Sequence, residues 1–383
     1  VSITMVALVC LVLRLRMEWE LSRAGFDLIF TSLISFSGLV LFLGLNIAAG
    51  RNTTRSRDGR LPIAAWLGGF LAFLLIVLLG VWVVDPYSRF GERPFPRLVT
   101  PVFPKLDAYA GKEAPPVVVV LGSSRALPIS PARIHATLGV PAFNMAVHGD
   151  STANNLLFSR YMLDHGGLPA VLLVEVSPPL EWGEEVIAER TPLVLLPYLP
   201  AELALPTLAR MWNFSLNIHG FSDALFLITR QVWLGMPETE ARFDAYGLVI
   251  NMSTGTDPQT FLEAVDDIAV PQCTALDPDG VQAVHELVAL AARQRTAIVF
   301  YQSPRHPYFY ETMLDQSGYV SCQEAFMAEM TSLDKANDHV FFLNALQLDQ
   351  VSDMGLNGFY DPQHITYRGA DGLVDAATPL LQQ

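Results

Sequence analysis

Residues Val117–Arg125 read VVVVLGSSR. Four β-branched valines and a leucine run without interruption into a glycine and two serines. β-branched side chains favour a pleated, close-packed surface, and an apolar run without alternation suits a strand buried on both faces. Small turn-forming residues end it. Strands of this kind belong to parallel sheets, whose ligands sit beyond the carboxyl ends of the strands. Ser123 and Ser124 therefore stand where either a plain turn or a displayed nucleophile would be.

The pattern continues on the carboxyl side of this strand. A helix is expected from Pro131 to Leu138, with proline at its start and Gly139 at its stop. Strand character returns at Val140–Met145, an amphipathic helix follows at Ser151–His165, and Val171–Val176 is again a buried strand. Later come a helix at Gln282–Arg295, strands at Ala297–Tyr301 and Val340–Leu343, and a closing helix at Arg368–Leu381. Such alternation predicts an α/β domain over residues 117–383, a three-layer α/β/α sandwich around a parallel sheet. Residues 181–280 interrupt the rhythm with prolines and aromatics and read as a helical insertion, either an extra packing layer or a substrate-shaping lid.

Upstream the composition changes. Residues 28–49 and 61–84 are free of charge over 22 and 24 positions, long enough to cross a bilayer as helices, which takes ~20 residues. Between them RNTTRSRDGR (51–60) carries four arginines against one aspartate, and short basic loops stay on the cytoplasmic side. The chain after Asp85 is then expected on the periplasmic or extracellular side of a cytoplasmic (inner) membrane. Residues 1–13 are apolar but short, and fit part of a first spanning helix, an interfacial helix or a signal-like segment. Seven prolines in residues 85–116 read as a linker. Residues 1–84 hold 7 Lys/Arg and 4 Asp/Glu, whereas the remainder holds 17 and 34. So acidic a domain is poorly suited to nucleic acid, where phosphate neutralisation dominates affinity. The lipid bilayer is the expected partner, together with a membrane protein packed on the glycine-bearing helices.

A serine becomes a nucleophile when a base takes its proton, and the base works best when a third group fixes its tautomer. Near the carboxyl terminus, Asp361-Pro362-Gln363-His364 places a carboxylate three residues before an imidazole at the mouth of the last helix. Asp361 can then bond Nδ1 of His364 and leave Nε2 to face a serine. In FNMAVHGDSTANN (143–155), Gly149 follows a strand and opens a helix, where a backbone N–H can meet a developing oxyanion. Arg125 either clamps an anionic substrate or caps the turn. His306 reads as a rim residue after the strand Ala297–Tyr301, and His148 as a pocket or packing residue. The three cysteines, Cys10, Cys273 and Cys322, have no metal-ligand spacing, and the last two are free to pair or not in an oxidising compartment.

LGSSR, FNMAVHGDSTANN and DPQH, in this order, resemble the blocks of the SGNH/GDSL hydrolase superfamily, over about residues 116–383. The resemblance implies Ser124 as nucleophile, His364 as base, Asp361 as its orienting acid, and the N–H groups of Gly149 and Ser124 as oxyanion donors. It is greatest to the membrane-anchored, exported branch, which implies an esterase or O-acyltransferase acting on an acylated cell-envelope glycan or lipid, with no cofactor or metal. The sequence departs from the third block, where VLLVEVSPP (171–179) has no asparagine. Ser177 or Arg125 would have to substitute, or catalysis is slow or lost. The last case describes a different class of protein, an SGNH-like scaffold subunit of a membrane complex.

Overall fold

The computed structural model describes residues 75, 78–85, 102–147, 152–180, 193–200, 204–209, 273–315, 318–346, 358–359, 361 and 363–382. The chain divides into two compact units, residues 1–98 with 209–239, and residues 99–208 with 240–383. In the first unit residues 78–84 are helical. No helix among the described residues is long and apolar enough to cross a membrane. The apolar stretch 28–49 lies outside the described residues, and so does 61–84 apart from residues 75 and 78–84.

The second unit contains five parallel strands: β1 (Val118–Leu121), β2 (Ala142–Asn144), β3 (Val171–Glu175), β4 (Ala297–Gln302) and β5 (Val340–Asn344), in the order β2-β1-β3-β4-β5. Its helices are α1 (Val102–Ala110), α2 (Pro131–Leu138), α3 (Thr152–Asp164), α4 (Pro278–Gln294), α5 (Pro307–Leu314), α6 (Tyr319–Ala336) and α7 (Tyr367–Leu381). Strand pleating sends alternate side chains to opposite faces, so each strand feeds two cores. Val119, Leu121, Leu172, Val174, Ile298 and Phe300 pack with α1, α3, α4 and α6. Val118, Val120, Leu173, Val299 and Tyr301 pack with α2 and α7. Each such fully buried side chain stabilises the fold by about 1.5–3 kcal/mol. The result is a parallel sheet covered on both faces.

The local signals act as expected. Ser130 caps α2 by accepting from Arg133 N–H, Pro131 opens it, and Gly139 (φ 73°) closes it by donating to His135 O. Two stretches differ from the sequence reading. Residues 102–110, within the expected linker, form α1, because Val102, Leu106 and Tyr109 recur at helical spacing and enter the core. The Nζ of fully buried Lys105 donates to Asn144 O (3.1 Å) and Ala146 O (2.6 Å), which ties α1 to the end of β2. α5 and α6 fill the interval between β4 and β5. Of the expected insertion, the described residues are a 3₁₀ turn at Leu193–Tyr198, a short helix at 204–209, residues 199–200 and 273–277, and the start of α4. Cys273 and Cys322 are joined by a disulfide, with Cα atoms 5.7 Å apart.

Candidate active site

In the strand order β2-β1-β3-β4-β5 the chain passes from β1 to β2 through α2 on one face of the sheet, and from β2 across β1 to β3 through α3 on the other. The crevice at the carboxyl ends of β1 and β3 is the switch point where doubly wound sheets bind ligands. Gly122 turns the chain there. Its φ of +148° disfavours any side chain, and a Cβ on it would lie 2.5 Å from Glu175 Cβ and 2.8 Å from Glu175 Oε2. Leu121 pairs with Val174 across the parallel ladder, so the next residue of each strand, Gly122 and Glu175, lie side by side.

Ser124 follows in the turn. Its Oγ lies 2.7 Å from Nε2 of His364, and Nδ1 of His364 lies 2.7 Å from Oδ2 of Asp361. The other carboxylate oxygen of Asp361 accepts from the backbone N–H of Gln363 (2.7 Å) and of His364 (2.8 Å). Those two bonds turn the chain back within one short loop. The loop is pinned at its base by the Phe359–Ile365 bridge and by Thr366 N–H donating to Gly358 O (2.9 Å). Thr366 then caps α7 by accepting from Gly369 N–H. Burial pushes the Asp361 carboxyl up, but the His364 hydrogen bond and charge and the two N–H donors outweigh it, so it ends below the ordinary carboxylate value. It is therefore ionised at neutral pH and holds a proton on Nδ1, which leaves Nε2 as the acceptor facing Ser124.

A second layer of charge supports the turn. Glu175, at the end of β3, is buried and accepts at Oε2 from Ser123 N–H (2.8 Å) and Ser123 Oγ–H (2.7 Å), while its Oε1 pairs with Arg125 Nε. Arg125 also donates from Nη2 to Ser177 Oγ (3.0 Å). Burial pushes Glu175 up, yet Arg125, the two Ser123 bonds and Arg305 bring it below the ordinary value. From β2, Asn144 Nδ2 donates to the carbonyls of Ala126 (2.9 Å), Leu127 (3.2 Å) and Ile129 (2.9 Å), and its Oδ1 accepts from Ala146 N–H (2.9 Å). Asn144 thereby binds the segment after Ser124 to the loop that leads toward Gly149.

The structure brings Ser124, His364 and Asp361 into one chain of hydrogen bonds and places Arg125 and Ser177 together beside it. Gly149 and His148 lie outside the described residues. His306, expected at the rim, is 3% exposed and packs edge-on against Phe359 at 5.3 Å between ring centres, under the Asp361–His364 loop. Its apolar neighbour explains the difference, because Phe359 closes over it. Glu175, Asn144 and Arg305 escape the sequence reading. The signal for Glu175 was a single carboxylate inside an otherwise apolar buried strand, which requires a partner. Among the described residues no group of three or more His, Cys, Asp or Glu could hold a metal ion.

No family model matches the chain, and no curated protein does. Among solved structures it is similar to a protein provisionally described as a platelet activating factor from Streptococcus pneumonia, at 11% identity and a TM-score of 0.37, covering 81% of this chain and 99% of that one. It is also similar to a provisionally described acylhydrolase from Bacteroides fragilis (10% identity, TM-score 0.34, 69% and 86% covered). A GDSL-like lipase from Bacteroides thetaiotaomicron matches at 11% identity and a TM-score of 0.34, with 69% and 87% covered.

Proposed function

We propose that the chain is a serine esterase or O-acyltransferase of the SGNH type, anchored in a membrane and acting on an acylated cell-envelope glycan or lipid. The observation that carries this reading is the unbroken relay Ser124 Oγ–His364 Nε2 and His364 Nδ1–Asp361 Oδ2, 2.7 Å at each step, across residues 240 positions apart. Local turn chemistry does not produce such an arrangement. A half-buried carboxylate bonded to an imidazole that in turn meets a strand-end serine is the arrangement acyl transfer needs.

In the proposed reaction Ser124 Oγ attacks the acyl carbonyl carbon while His364 Nε2 takes the hydroxyl proton. Asp361 holds the Nδ1 proton and stabilises the imidazolium that forms. The N–H of Ser123 is committed to Glu175 and that of Arg125 to Ser123 Oγ, so the N–H of Ser124 is the one in this turn left to face the oxyanion. Gly149 supplies the second donor in this reading. The carbonyl re-forms, the ester bond to the leaving alcohol breaks, and His364 returns the proton to that alcohol. Water or a sugar hydroxyl then attacks the acyl-Ser124 ester by the same steps in reverse. Arg125 and Ser177 steady the nucleophile turn in this account, since the guanidinium is already held by Glu175.

The apolar stretches 28–49 and 61–84 support the membrane anchor, and the acidic balance of residues 85–383 supports a substrate other than nucleic acid. The test is turnover of an aryl acetate and of an O-acetylated glycan by the solubilised full chain. Acyl release or transfer that disappears in Ser124→Ala is the expected result. Equal turnover by wild type and Ser124→Ala would overturn the reading.

A further inference from the structure

The acid–base loop is closed at its base by the Phe359–Ile365 bridge, and its tip carries Asp361, Gln363 and His364. Among the described residues, two hydrogen-bonded links join that tip to the rest of the domain. One is the contact of His364 Nε2 with Ser124 Oγ itself (2.7 Å). The other runs to Arg305, whose Nη1 donates to Gln363 O and to Gln363 Oε1, both at 3.3 Å. Gln363 stands directly before His364, and its own N–H is bound to Asp361 Oδ1 (2.7 Å). Take Arg305 away, and the bond that the reaction uses is also the one left to hold the tip against the described sheet edge.

Arg305 is itself a fixed anchor. It is 6% exposed, its backbone N–H donates to Leu346 O (3.1 Å) beyond β5, and its guanidinium lies 5.8 Å from the centre of the Phe309 ring. The next residue, His306, packs against Phe359, so two successive residues after β4 meet the loop at its tip and its base. Burial and the neighbouring Arg125 pull Arg305 down to about 9, against Glu175, Tyr319 and Asp361, so it is charged at neutral pH. With Asp361 ionised beside a neutral His364, Arg125 and Arg305 stand against Glu175 and Asp361, two charges of each sign. The charges balance and Arg305 is buried, so it has neither spare charge nor access to clamp a substrate. A buried guanidinium costs stability unless its donors are answered. Among the described residues, those of Arg305 are answered by Gln363 alone.

We propose that Arg305 is a positioning residue for the acyl-transfer reaction, tying Gln363 to the sheet edge so that His364 Nε2 stays on Ser124 Oγ. The inference rests on the serine–histidine reading above. Arg305 touches no reacting atom and acts through Gln363. The Asp361–His364 bond is internal to the loop and does not depend on it, whereas the His364–Ser124 bond spans the loop and the turn after β1 and does.

The test is the imidazole ¹⁵N spectrum of the solubilised full chain with labelled histidine, in which His364 is assigned by its absence from His364→Gln and observed in its neutral form. Ser124→Ala gives the reference shift of Nε2 without the serine bond. In Arg305→Gln, Nε2 should move at least half of the way from the wild-type value to that reference, with Nδ1 unchanged. On an aryl acetate, kcat should fall about 10²-fold at an unchanged KM, the loss that a misplacement of about 1 Å causes. Arg305→Lys keeps the buried charge on a side chain that ends short of the guanidinium nitrogens, and should move Nε2 in the same direction with about a tenfold loss of kcat. Wild-type Nε2 and kcat in either variant once folded, even with a lowered Tm, would overturn the inference, and so would a raised KM at an unchanged kcat. A wild-type Nε2 already at the Ser124→Ala value would refute the relay itself, and with it the reading on which the inference rests.

Discussion

Glu175→Gln is the perturbation that most sharply separates charge from shape at this site. The glutamine keeps the size and one acceptor oxygen, so Ser123 N–H and Oγ–H retain a partner. What is lost is the negative charge opposite Arg125, in a residue 4% exposed. Removing one partner of a buried ion pair destabilises by about 3–5 kcal/mol, because the other charge stays buried without compensation. For a domain of this size that lowers Tm by about 6–20 °C. Burial raises the Glu175 carboxyl, while Arg125, Ser123 and Arg305 lower it further, to a net value below the ordinary 4.5. A carboxyl depressed in the folded state contributes stability that is complete above its unfolded value and is lost as pH falls through the folded one. The difference between wild type and Glu175→Gln should therefore be full at neutral pH and shrink below about pH 4.5. Denaturant unfolding of the two proteins across that range is the assay, with Arg125→Gln/Glu175→Gln completing a double-mutant cycle. Equal stability at neutral pH, or a gap that widens on acidification, would refute the reasoning.

Asp361→Asn should leave the fold intact and reduce esterase turnover by roughly 10⁴-fold, since an asparagine at this place favours the wrong His364 tautomer; steady-state kinetics on an aryl acetate measure it. Asn144→Ala strands the buried carbonyls of Leu127 and Ile129 and the N–H of Ala146, each worth about 1–3 kcal/mol when unsatisfied, while Ala126 O keeps Ile129 N–H, and should cost at least ~3 kcal/mol in denaturant unfolding. Reducing Cys273–Cys322, which closes a separation of 49 residues, should destabilise by about 2–4 kcal/mol, seen as a lower Tm in reductant that is absent in Cys273→Ser/Cys322→Ser.

The strands were legible because each is a short, β-branched apolar run ended by small residues, and β1 to β5 fall where Val117–Leu121, Val140–Met145, Val171–Val176, Ala297–Tyr301 and Val340–Leu343 predict them. Helix α1 was masked by the prolines around it, although Val102, Leu106 and Tyr109 already recur at helical spacing. Helix α6 did carry a signal, since Tyr319, Cys322, Phe326, Met330 and Leu333 recur at steps of three and four. At the site, Ser124, Asp361 and His364 could be read because the chemistry fixes residue types and their order along strand ends. Glu175 and Arg305 could not, because Glu175 pairs with Arg125 from β3 to the turn after β1, and Arg305 acts on it through charge from beyond β4. His306 shows the same limit: its position after β4 suggested the rim, whereas it is buried and packs edge-on against Phe359.

The most direct test of the central claim is to treat the folded full chain with a fluorophosphonate and locate the adduct by mass spectrometry. The account predicts a single adduct on Ser124, absent in Ser124→Ala and at least a thousandfold slower to form in His364→Ala. An adduct elsewhere, or labelling at the wild-type rate in His364→Ala, would contradict it.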